Sequence, residues 1–95
     1  MLNSCAALEI ERPERYAKQL AAHIGHKAEV VTEDGTSTVN FGNGAVGTIA
    51  VNSHSVLLSA SAETEEQMDV AKMVLGKHLL KFAKLEDQTL EWSTN

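Results

Sequence analysis

Apolar and polar side chains alternate through most of this chain, and helical spacing replaces the alternation twice. "SCAALEIE", Ser4 to Glu11, alternates weakly and predicts a first strand. Pro13 then opens a helix, where a fixed φ and a missing N–H do no harm. Within "PERYAKQLAAHI", Tyr16, Leu20 and Ile24 recur at i, i+4 and i+8 as one apolar stripe. Gly25 stands where a C′ residue would end that helix.

Period-two alternation returns in "KAEVVTE", "TSTVNF", "AVGTIAV" and "SVLLSASA". The turns between them are "DG", "GNG" and "NSH"; the glycine-bearing ones accept the positive φ of a tight hairpin. Val39 and Phe41 share one face, as do Ala45, Gly47, Ile49 and Val51. Thr36, Thr38, Asn40 and Thr48 take the other. This is the pattern of an antiparallel meander with one wet face.

A second helix follows. Thr64 is a good N-cap, and Gln67 completes a capping box. Glu65 and Glu66 in the first turn, and Lys77, Lys81 and Lys84 in the last turns, complement the helix dipole. Met68, Ala71, Val74, Leu75, His78, Phe82 and Leu85 trace the predicted buried stripe. "TLEW", Thr89 to Trp92, can add a short final strand. The order strand, helix, four antiparallel strands, helix predicts an α+β two-layer sandwich with both helices on one face of the sheet. One repeat of the TATA-binding-protein fold has this order, an analogy that carries no function.

Length makes this one domain, residues 1–95. Apolar residues at 43% and charged residues at 22% suit a folded globular chain. Eight basic residues against thirteen acidic ones, net −5, argue against nucleic acid and against an anionic membrane as partners. The single cysteine, Cys5, allows no internal disulfide. "MLNSCAALEIERPER" lacks the basic then apolar pattern of a signal peptide, and no apolar run approaches the roughly 20 residues of a membrane span. A cytoplasmic setting is expected.

Candidate chemistry is sparse. His23 and His26 form an HxxH, but Gly25 between them implies a helix stop, with His23 in the final turn and His26 outside it. His78 lies on the buried stripe and must find a hydrogen bond or face a pocket. If the two helices pack together, His23 and His78 can meet there. His26 or a carboxylate would then complete a small ligand or metal site, with Lys27 at the rim. Cys5 has neither a base nor a cation near it in sequence and reads as a small strand residue. Asp34-Gly35 and the "GNG" stretch fit turns rather than phosphate or calcium loops. Ser53-His54-Ser55 has no acid placed to orient the histidine. The polar sheet face could serve as a shallow ligand platform or as a homodimer face. No cofactor is implied.

Three stretches, "RYAKQLAAHIGHKAEV", "VNFGNGAVGTIAV" and "MVLGKHLLKFAKLEDQTLEW", resemble the small bacterial domain-of-unknown-function family 2218. The likeness runs from about Ala6 to Trp92 and is carried by Tyr16, Leu20, His23, His26, Lys27, Phe41, Gly44, His78, Leu79, Phe82, Ala83 and Trp92. Where the family pattern has a cysteine near the first histidine, this chain has Ala21 and Ala22. The resemblance implies a standalone cytoplasmic bacterial protein without assigned activity, of a family sometimes encoded near siderophore-utilisation reductases, which points to iron physiology. Three functions follow as expectations. The first is a non-enzymatic domain binding an unknown protein or small molecule through His23, His78, His26 and Lys27. The second is a small enzyme using His23 or His78 as acid or base, and the third a homodimeric interaction module.

Overall fold

The computed structural model describes every residue except Asn43, Glu86 and Asn95. Its elements are β1 (Leu2–Glu9), α1 (Pro13–Ile24), β2 (Glu29–Glu33), β3 (Thr36–Asn40), β4 (Val46–Val51), β5 (Ser55–Ala62), α2 (Glu65–Phe82) and β6 (Ser93–Thr94). The strands form one antiparallel six-stranded sheet in the order β2-β3-β4-β5-β1-β6. Both helices pack on one face of it, so the architecture is the expected α+β two-layer sandwich, compatible with the comparison to a TATA-binding-protein repeat.

Local chemistry explains the hairpins. Asp34 and Gly35 have φ of 50° and 79°, the paired left-handed residues that join two twisted strands with a two-residue loop. Gly42 and Gly44 also have positive φ, whereas Asn43, the middle of the expected "GNG" turn, lies outside the described residues. The Asn52 side-chain oxygen accepts from the backbone N–H groups of His54 and Ser55 at 2.8 and 2.6 Å, which shapes the β4–β5 turn.

The core lies between the layers. Val39, Ile49, Val56 and Leu58 rise from the sheet to meet Leu20 and Ile24 of α1 and Met68, Ala71, Leu75 and Leu79 of α2. Gly47 makes the approach of α2 possible. A Cβ there would stand 2.8 Å from Leu75 Cδ1 and 3.1 Å from Phe41 Cε2.

Several boundaries differ from the sequence pattern. β1 is Leu2–Glu9 rather than 4–11, because Glu9 is the last residue paired with β5. β2 starts at Glu29, since the turn after α1 continues through Ala28, whose N–H bonds Ile24 O at 2.9 Å. Gly25 ends α1 but is right-handed (φ −59°, ψ −16°), not left-handed; Lys27 and Ala28 close the end by bonding the Ile24 carbonyl. At the other end Arg12 occupies the N-cap with φ 57° and no side-chain cap, leaving Pro13 to set the first turn. Thr64 accepts from Gln67 N as a capping box requires, yet Gln67 Oε1 returns to Glu63 N rather than to the cap residue. The final strand is Ser93–Thr94, paired with Cys5 and Ser4, and not "TLEW". Leu90 and Trp92 instead pack over Gly76 of α2. Among the described residues no helix is long and apolar enough to cross a membrane.

Candidate functional site

The last turn of α1 and the C-terminal part of α2 pack against each other. His23 and His78 lie at that contact with ring centroids 4.8 Å apart and planes tilted by 45°. Phe82, one turn beyond His78, sets its ring at 5.3 Å from His23, nearly perpendicular at 78°. The edge-to-face contact fixes the His23 ring. His78 is fixed differently: its Nδ1–H donates to the Val74 carbonyl at 2.7 Å. A carbonyl can only accept, so the neutral ring carries its proton on Nδ1 and keeps a lone pair on Nε2.

Below the rings is a cavity of about 270 Å³, lined by His23, Ile24, Lys27, Ala28, Phe41, Val70, Val74 and His78. That is near the lower end of small-molecule pockets. Its walls are apolar, and no carboxylate is among the lining residues described. Partial desolvation lowers the His23 pKa from its ordinary value of 6.5. The nearby His78, Lys27, His26 and Lys81 lower it further by adding positive charge. The site is therefore electropositive with an apolar floor.

Of the four residues singled out in sequence, His23, His78 and Lys27 line this cavity. His26 is exposed beyond the helix end and acts on His23 through charge without lining the cavity. Among the described residues no three histidine, cysteine or carboxylate side chains converge as metal ligands. His54 is exposed in the β4–β5 turn, and Cys5 lies on the far sheet face beside Leu57 and Ser59. Val70 and Phe41 also line the cavity, and sequence analysis did not name them for it. Their signal was present: Val70, Val74, His78 and Phe82 are spaced i, i+4, i+8 and i+12, a second apolar row beside the core row.

A family model described as "Uncharacterized protein conserved in bacteria (DUF2218)" matches residues 5–93. The fold is similar to the NMR structure of PA4090 from Pseudomonas aeruginosa, with a TM-score of 0.82 and 24% identity over 98% of this chain and 96% of that one. At that identity the likeness speaks to fold alone. Comparison with curated proteins gave no match.

Proposed function

The chain belongs to this DUF2218 family of uncharacterised bacterial proteins, and on that premise we propose that it is a small non-enzymatic binding protein of the cytoplasm. Its ligand is a small organic anion with an apolar part, held in the α1–α2 cleft by His23 and His78, with Lys27 and His26 at the rim. The supporting observation is the histidine pair itself, two rings 4.8 Å apart over an apolar cavity that no described carboxylate lines.

Apolar walls take up a hydrocarbon stem, while the Lys27 ammonium and the imidazoles, protonated as the anion binds, recognise a carboxylate and orient it. The Val74 carbonyl engages His78 Nδ1 and leaves Nε2 facing the ligand, where it donates to a carboxylate once the ring takes up a proton. An association with iron or siderophore use, implied by the family resemblance, fits the same class through an anionic iron chelate. Two imidazoles are too few to hold a bare ion, so such a metal would bring its other ligands with it.

Hexanoate and hexylammonium test the proposal as probes of opposite charge and equal chain length. Hexanoate is expected to shift the backbone amide resonances of His23, Val74 and His78, and hexylammonium is not. The variant H23A/H78A should lose the hexanoate response. Equal responses to both probes, or none to hexanoate, would reject an anion site here.

A further inference from the structure

β2 is an end strand of the sheet. It pairs with β3 along one edge, and no described strand covers its other edge. Free edges invite pairing with another chain, and folded proteins guard them with charge. Here the guards are Glu29 and Glu33, at the two ends of the strand, with Asp34 in the following turn. No Lys or Arg lies within β2. Val31 between the two glutamates is 52% exposed.

Beside this edge runs a hollow of about 620 Å³, between α1 and the helix-facing side of β2 to β4. Ala17, Ala21 and Gly25 form its helix wall, and Val30, Ile49 and Val51 its sheet wall. Glu14 and Lys18 stand at its mouth. An extended segment laid along β2 would therefore do two things at once. Its backbone would continue the ladder, and its side chains opposite Val30 and Thr32 would fall on the side of the apolar hollow.

Charge decides what kind of segment fits. A second copy pairing antiparallel about Val31 would set Glu29 directly against Glu33, twice, and like charges directly opposite are destabilising. The same two glutamates would meet complementary charge in a segment with basic residues four positions apart. We propose that the free edge of β2 binds an extended peptide of the pattern basic-apolar-any-apolar-basic, in which Lys or Arg face Glu29 and Glu33. This site is separate from the histidine cavity.

The probe is the nonapeptide Gly-Ser-Lys-Val-Thr-Val-Lys-Ser-Gly, compared with its counterpart carrying Glu in place of both Lys. In NMR titrations of the intact protein the Lys peptide should shift amide resonances across Glu29–Glu33 and slow their hydrogen exchange. The Glu peptide should bind about tenfold or more weakly, from two reversed cross-strand pairs. The surface variant E29K/E33K should invert that preference, and T32P, which removes a backbone donor that faces the open edge rather than β3, should weaken both peptides. Absence of shifts on β2, equal affinity for the two peptides, or no inversion in E29K/E33K would overturn the proposal. So would a concentration-dependent dimer of the protein that protects β2, since the edge would then belong to a second copy.

Discussion

The two histidines differ in how they are held, and that difference sets what each substitution should do. His78 bonds a carbonyl of its own helix, one turn back, at 2.7 Å. Val74 O is within the helix ladder already, so removing the imidazole strands no buried partner. H78L should therefore keep or raise the urea midpoint while abolishing the hexanoate response, a combination that separates binding from stability. His23 carries the pH dependence. Its folded pKa is lowered below 6.5, by partial desolvation first and by the charge of His78 next. The unfolded chain then binds the proton more readily than the native one, so stability rises with pH across that window. The contribution is complete above the unfolded value and is lost as pH falls through the lowered folded value. Urea midpoints of wild type and H23Q, compared at about pH 8 and about pH 5, should show a smaller fall in the variant. Gly47 is a residue-scale constraint of another kind. G47A should cost about 1–3 kcal/mol by driving a methyl into Leu75 and Phe41, measured by chemical denaturation.

Elements were legible in proportion to how locally they are determined. α1 was readable to the residue because Pro13 and the Tyr16, Leu20, Ile24 stripe fix both its start and its face. β5 and the Asp34-Gly35 turn were equally plain, since alternation and left-handed turn residues are local signals. Gly25 misled: a glycine after a helix suggests a left-handed cap, but here the following residues cap the helix without one. β6 could not be read from "TLEW", because its pairing to Ser4 and Cys5 depends on where a tail some ninety residues away crosses the sheet edge. In α2 the apolar positions merged two rows. Met68, Ala71, Leu75 and Leu79 are the fully packed seam, whereas Val74, His78 and Phe82 face α1 and the cavity. The meeting of His23 with His78 followed from helix packing, but the cavity wall supplied by Phe41 required the third dimension. The cap of α2 gives a test at this scale: T64A removes the acceptor for Gln67 N and should lower stability by about 1 kcal/mol in denaturant.

Across the whole molecule, charge is distributed by layer. All eight Lys and Arg lie outside the six strands, on the helices or in the residues flanking them. The C-terminal ends of α1 and α2 bring Lys27 and Lys81 near His23, while β2 presents Glu29 and Glu33 on an end strand of the sheet. A chain of net charge −5 thus keeps one electropositive cleft. An anion bound there favours imidazolium, and by linkage protonation must favour the anion to the same extent. Hexanoate affinity should strengthen as pH falls from about 8 towards about 6. The most direct measurement is an NMR pH titration of the His23 and His78 ring protons, without ligand and with saturating hexanoate. An anion site in this cleft predicts that hexanoate raises the His23 pKa and that uncharged hexanol does not. An unchanged His23 pKa, or an equal rise with hexanol, would contradict it.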